Sequence, residues 1–189
     1  MFDRRGSRKY LNRLERRAFL QVNKHELDAM RRAFCRTLFH TGCRISEALN
    51  LTAGQIDLTG KSIVFETLKR RGRGHFRAVP VPDSLVGLLG KIMAGKAPKT
   101  KVWDFSRTTA YRLVKTKMKQ AKITGGMASP KGLRHGFAVA CLAQKIPLTT
   151  VKKWLGHARL ETTAIYLEVS GDEERELAER LWSAEGKET

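Results

Sequence analysis

Apolar residues recur at three- and four-residue spacing along most of the chain, and each such stretch predicts an amphipathic helix. From Asn23, whose side chain suits an N-cap, Leu27, Met30, Phe34 and Leu38 fall on one face up to Thr41-Gly42, where the glycine ends the helix. A short helix through Ile45, Ala48 and Leu49 follows at once. Further helices are expected at 83–93, 107–121, 131–145, 148–155, 159–168 and 173–184. Ala110, Leu113, Val114, Met118 and Ala121 give the 107–121 helix its apolar face, and Leu177, Ala178, Leu181 and Trp182 form a stripe on the last. Between Lys61 and Pro82 the period changes. Ser62-Ile63-Val64-Phe65 and Ala78-Val79-Pro80-Val81 are β-rich runs, and the glycines at 72 and 74 between them predict an antiparallel hairpin with a strongly basic turn. The fold class expected is mainly α with one small antiparallel β-sheet (α+β), without internal repeats.

With 189 residues and 41% apolar content, one domain with a buried core is expected. Residues 1–22 hold seven bases and two acids with scattered apolar positions, and read as a basic arm that holds at most a short helix and is too short for a domain. Residues 23–170 then form the folded domain, and residues 171–189 an acidic helix or tail. Charge sharpens this picture. Lys plus Arg total 37 against 18 acids, a formal net charge of +19, well beyond what solubility requires. Residues 168–189 carry eight acids and three bases, so residues 1–167 hold 34 bases against 10 acids, about +24. A polyanion is the expected partner.

Three cysteines, Cys35, Cys43 and Cys141, lack the close spacing of a zinc site and read as reduced structural residues. No apolar run approaches the length of a membrane span, and the basic start lacks the apolar core of a signal peptide. A cytoplasmic, nucleic-acid-associated protein without a membrane partner is expected.

Four local features put a strong base or a phenol at a helix start or tight turn: TGCRISEALNL around Arg44, the hairpin bearing Lys69, SPKGLRHGF around Lys131 and Arg134, and KKWLGHARLETTAIY with His157 and Tyr166. In this order and spacing they resemble the catalytic domain of the tyrosine recombinase (phage integrase) family, over roughly residues 23–170. The resemblance implies that fold and a site-specific DNA recombinase that cleaves and rejoins DNA through a 3′-phosphotyrosine. It implies Tyr166 as nucleophile, Arg44, Lys131, Arg134 and His157 around the phosphate, Lys69 as the acid for the leaving 5′-oxygen, and Glu47 as the carboxylate supporting Arg44. Two departures from the family pattern stand out. Lys131 occupies the first position of the HxxR box in place of histidine, and about 22 residues stand where members carry a separate N-terminal core-binding domain.

The chemistry asks for these residue types. Two guanidinium groups can each grip phosphate oxygens in a fork, which a single lysine cannot. A phenol of ordinary pKa about 10 needs a field of cations to become a nucleophile. No carboxylate cluster offers a metal site, and no metal, ATP or other cofactor is expected.

The remaining basic residues suit backbone contacts along a DNA groove: Arg70, Arg71, Arg73 and Arg77 on the hairpin, and Arg107, Arg112, Lys115, Lys117, Lys119 and Lys122 on the 107–121 helix and its end. His135 reads as a structural hydrogen-bonding residue, and Trp154 as core packing beneath His157. The acidic tail either folds back on its own domain or docks on a neighbouring subunit. Double-stranded DNA, a tetramer on paired sites and an accessory or partner recombinase complete the expectation. The alternative is a non-catalytic DNA-binding regulator derived from a recombinase. A basic RNA-associated protein would explain the charge and not the spacing.

Overall fold

The computed structural model describes residues 6–67, 75–167 and 178–183, and in it both the helical pattern and the change of period near residue 61 are realised. The element order is α1 (Arg13–Lys24), α2 (Ala29–Thr41), α3 (Ile45–Leu49), a 3-10 turn (Ala53–Gln55), β1 (Ile56–Asp57), β2 (Ser62–Thr67), β3 (His75–Pro80), α4 (Asp83–Met93), α5 (Arg107–Gln120), α6 (Pro130–Ala143), α7 (Leu148–Leu155) and α8 (Glu161–Ala164). Residues 178–183 are helical as well; the rest of the predicted 173–184 helix lies outside the described residues.

The sheet is antiparallel in the order β1-β2-β3, with Ile63 opposite Val79 and Phe65 opposite Arg77. Ile63, Phe65 and Val79 point inward and meet Leu85 and Leu89 of α4 and Phe34 and Leu38 of α2 in the larger core. A smaller core joins α6 to α7 through Phe137, Ala138, Val151 and Leu155, and it takes in Tyr10 and Tyr166. Between the two cores runs α6, buried from Gly132 to Val139 around its whole circumference. A helix surrounded by protein on every side holds its polar residues in fixed places.

The sequence reading is corrected at the amino-terminal end. Residues 10–24 are no free arm: Tyr10, Leu11 and Phe19 are buried, and α1 packs on α2, α5 and α6. A reciprocal cap starts the helix, with the Glu15 amide donating to Asn12 Oδ1 (2.9 Å) and the Asn12 amide to Glu15 Oε2 (2.8 Å). The absence of a side chain at Gly136 lets the chain cross α6 closely, since a Cβ there would sit 2.8 Å from the Leu11 carbonyl oxygen. Asn23 accordingly lies inside α1, its Nδ2 donating to the Phe19 carbonyl (2.8 Å), and Asp28 is the residue that caps α2. Leu27, assigned to the buried stripe by its spacing, precedes the helix and is 95% exposed.

Candidate active site

Two helices end facing each other, and the site is built on their carboxyl termini. α2 ends at Gly42 and α7 at Gly156, both in the left-handed conformation (φ 59° and 66°) that only glycine adopts without strain. Helix ends leave carbonyl oxygens without backbone partners and carry partial negative charge, which attracts cations. Arg134, from the buried face of α6, takes one oxygen from each end: Nη1 donates to the Gly42 carbonyl (2.9 Å) and Nη2 to the Leu155 carbonyl (2.8 Å). Its guanidinium is thus fixed in position with further N–H groups to spare.

Arg44 follows Gly42 by two residues and caps α3. Its amide donates to Glu47 Oε2 and its Nη1 to Glu47 Oε1, both at 2.8 Å. The Arg44 side chain keeps 28% exposure, whereas the Glu47 side chain keeps 1%. Trp103 helps to seat this short helix by donating its indole N–H to the Ala48 carbonyl (2.7 Å).

A third arginine closes the arrangement and corrects the sequence reading. Arg77 does not extend from the hairpin as a groove contact: it points inward from β3 and is 6% exposed. Its Nη2 donates to Glu47 Oε2 (2.7 Å), its Nε to the Trp154 carbonyl (2.7 Å) and its Nη1 to Thr67 Oγ1 (3.1 Å). Strand parity carried the signal, since Arg77 shares the inward phase of Val79. One buried carboxylate therefore serves two arginines. Burial alone would raise the Glu47 pKa, yet Arg77, the Arg44 amide and the Arg44 charge together hold it below the usual carboxylate value.

His157 comes directly after Gly156, half-buried, with Nδ1 within hydrogen-bond distance of Thr163 Oγ1 (2.9 Å). Burial, then Arg134 and Arg44, lower its pKa to about 3, so the imidazole is neutral at physiological pH. Tyr166 is 2% exposed, and its ring lies nearly parallel to that of His157, centroids 6.3 Å apart. Its hydroxyl meets His135 Nδ1 at 2.8 Å, a contact across the smaller core that no local spacing announces. Burial raises the Tyr166 pKa, while Arg134 and Arg44 pull the other way.

The structure thus brings together Arg44, Glu47, Arg134, His157 and Tyr166 and adds Arg77, Thr163 and His135. Three guanidiniums face one carboxylate, leaving an excess of positive charge where Arg44 reaches solvent. A cleft of about 340 Å³, lined in part by Thr67, Arg77, Lys152, Lys153 and His157, opens beside it. Lys131 stands on the first turn of α6, exposed, one turn before Arg134. Lys69, Arg70, Arg71 and Arg73 lie outside the described residues. Arg107, Arg112 and Lys119 project from α5 into solvent, and Lys115 Nζ donates to the Ala128 carbonyl (2.9 Å). Lys117, expected on the same basic face, is instead buried in an ion pair with Glu26 (2.6 Å). The three cysteines are buried and free, their thiols pushed up to about 12, 12 and 11 by burial.

Comparison with known proteins agrees with this architecture. The sequence profile of the phage integrase family matches residues 9–173. A tyrosine recombinase XerA of Saccharolobus solfataricus is 32% identical over 172 residues, covering 91% of this chain and 56% of that protein. A tyrosine recombinase of Thermosipho africanus is 31% identical over 149 residues, covering 76% of this chain and 51% of that protein. The chain spans about half the length of these curated relatives. Among solved structures, a XerA recombinase superposes with a TM-score of 0.76 at 24% identity, over 95% of this chain and 66% of the other. The catalytic domain of bacteriophage HP1 integrase superposes with a TM-score of 0.65 at 21% identity, over 90% of this chain and 93% of the other. From the pairing of helix ends with arginines to the profile that spans nearly all of it, the chain belongs to the phage integrase family and has the fold of a tyrosine recombinase catalytic domain.

Proposed function

We propose that the protein is a site-specific DNA recombinase, and that Tyr166 is its nucleophile. The observation that carries this reading is the meeting of one phenol, one neutral imidazole and two arginines at the paired ends of α2 and α7. Arg44 and the free N–H groups of Arg134 grip the non-bridging oxygens of a phosphodiester, where charge develops during attack. Lys131 adds a further cation from the first turn of α6. Its charge suits phosphate binding, and it does not act as a neutral imidazole would. His157 donates a hydrogen bond as the neutral ring.

In the reaction Tyr166 Oη, its ionisation favoured by the surrounding cations, gives up its proton to solvent and bonds to phosphorus while the bond to the 5′-oxygen breaks. Lys69 gives that oxygen a proton, a task that suits lysine because arginine scarcely releases one. The 3′-phosphotyrosine conserves the energy of the broken bond, and attack by another 5′-hydroxyl reverses the step on a new strand. Neither ATP nor a divalent cation takes part in these steps. Double-stranded DNA is the substrate, with Arg70, Arg71, Arg73, Arg107, Arg112, Lys115 and Lys119 along its backbone and four subunits on paired sites. The reaction belongs in the cytoplasm at the nucleoid. A XerH recombinase of this fold was solved on its difH substrate in a post-cleavage complex, with a TM-score of 0.74 to this chain, which supports DNA as the partner.

The test uses nicked duplexes taken from the DNA around the protein's own coding region, with EDTA present. Wild type is expected to form a denaturant-resistant protein–DNA adduct, and Tyr166→Phe to bind the same DNA without forming one. Specific binding by wild type with no adduct would instead favour a non-catalytic regulator.

A further inference from the structure

His135 is the polar residue that the proposed reaction leaves unused, and it holds the hydroxyl of the proposed nucleophile. It sits on the buried stretch of α6 between Gly132 and Val139, next to Arg134, and its Nδ1 lies 2.8 Å from Tyr166 Oη. Its other nitrogen, Nε2, is buried without a hydrogen-bond partner among the described residues. The direction of the Tyr166 contact follows from counting donors and acceptors. If Nδ1 accepts from the phenol, one group is left unsatisfied, the N–H on Nε2. If Nδ1 carries the proton, two are left, the Nε2 lone pair and the phenol O–H. Unsatisfied buried polar groups are costly, so the neutral resting state favours the phenol as donor.

A hydrogen bond of this direction exists only with the neutral phenol, and breaks when Tyr166 ionises. Nor can His135 keep the phenol's proton. Burial, then the charges of Lys131, Arg134 and Lys9, lower its pKa to about 4. On the phenol side, Arg134 and Arg44 are cations with no lone pair to offer, and His157, its pKa lowered to about 3, is too weak a base to hold the proton, which passes to solvent.

We propose that His135 is a positioning residue that stores Tyr166 as a neutral, buried phenol in the protein without DNA, and that strand cleavage requires the hydroxyl to leave His135 and turn toward the phosphate. The inference rests on the reading of Tyr166 as nucleophile. It assigns the 2% exposure of that side chain to a resting position that DNA binding must undo.

Two measurements on the protein alone decide the contact. Nitrogen-15 NMR of histidine-labelled wild type, with His135 identified by the shift that Tyr166→Phe causes, should show the proton on Nε2 and none on Nδ1. A proton on Nδ1 overturns the proposal, whether or not any variant folds. Ultraviolet titration, taken as wild type minus Tyr166→Phe, isolates the Tyr166 phenolate. His135→Phe should lower its midpoint, and His135→Asn, which restores an acceptor near the Nδ1 position, should move it back. A midpoint that rises in His135→Phe means that the ring was stabilising the phenolate, and overturns the proposal.

On saturating nicked DNA, His135→Phe should form adduct about two- to tenfold faster in a single turnover, the size of one neutral hydrogen bond, with DNA affinity unchanged. A slower rate overturns the storage role. A wild type that forms no adduct on any nicked site overturns the nucleophile reading, and the two protein-only measurements still judge His135.

Discussion

Replacing Arg77 with methionine keeps much of the side-chain volume and removes the charge, so it isolates what the buried guanidinium does. The substitution removes three hydrogen bonds, to Glu47 Oε2, the Trp154 carbonyl and Thr67 Oγ1. The side chains of Arg77 and Glu47 are only 5% and 1% exposed, so solvent cannot take the place of those bonds. Breaking one side of such a buried pair costs about 3–5 kcal/mol, a large part of the roughly 5–15 kcal/mol that holds a domain folded. Urea unfolding at pH 7 should show that loss. The sign of the pH dependence is also fixed. In wild type the Glu47 pKa lies below its unfolded value, so the stability it contributes is present above pH about 4.3 and is lost as pH falls through the folded value. Without Arg77, burial is opposed by Arg44 alone and the Glu47 pKa moves upward from its wild-type value. The Arg77→Met deficit should therefore shrink as pH falls and the stranded carboxylate takes up its proton. Adding Glu47→Gln should restore part of the stability, because the stranded charge is gone. A deficit below about 1 kcal/mol, or a double variant that is additive within about 0.5 kcal/mol, would show that Arg77 and Glu47 do not stabilise the fold as a pair.

Other perturbations test other parts of the account. Arg134→Lys keeps the charge and loses the fork that spans Gly42 and Leu155, so adduct formation should fall about 10²- to 10³-fold in single-turnover assays, with DNA affinity changed far less. His40, His135 and His157 are neutral in the fold, with pKa values lowered to about 4, 4 and 3 by burial first and by neighbouring cations second. Unfolding therefore takes up protons as pH drops from 6.5 toward 4, and stability falls over that window. The slope of unfolding free energy against pH there should correspond to more than one proton. Substituting Arg107, Arg112 and Lys119 together with alanine should weaken DNA binding and flatten its salt dependence, by about 0.9 in the logarithmic slope for each phosphate no longer neutralised. An unchanged slope would place DNA elsewhere.

Much of the fold is visible in local pattern, because α4, α5 and α7 bury one face each and their periodicity survives. Arg44, Arg134 and His157 are equally visible, since each sits at a helix end or on a buried helix where the chain has a sharp local signature. The basic start misled for a physical reason. Its seven bases dominate composition, while its seat in the core depends on a few residues, Tyr10, Leu11 and Phe19, and on the gap at Gly136. The Asn12 and Glu15 pair, three residues apart, is the local signal that a helix begins there. Arg77 was legible by strand parity, although the charge density around it pointed outward. The His135–Tyr166 contact was not legible at all: it joins residues 31 apart through tertiary packing alone.

The most direct test of the central claim is to find where the covalent bond forms. A trapped adduct, digested with nuclease and trypsin and analysed by mass spectrometry, should carry its nucleotide remnant on the tryptic peptide 160–175, whose single tyrosine is Tyr166. The remnant should be joined through a 3′-phosphate, with a free 5′-hydroxyl on the departing strand. A remnant on a peptide containing Tyr10 or Tyr111, or a bond through a 5′-phosphate, would contradict the account.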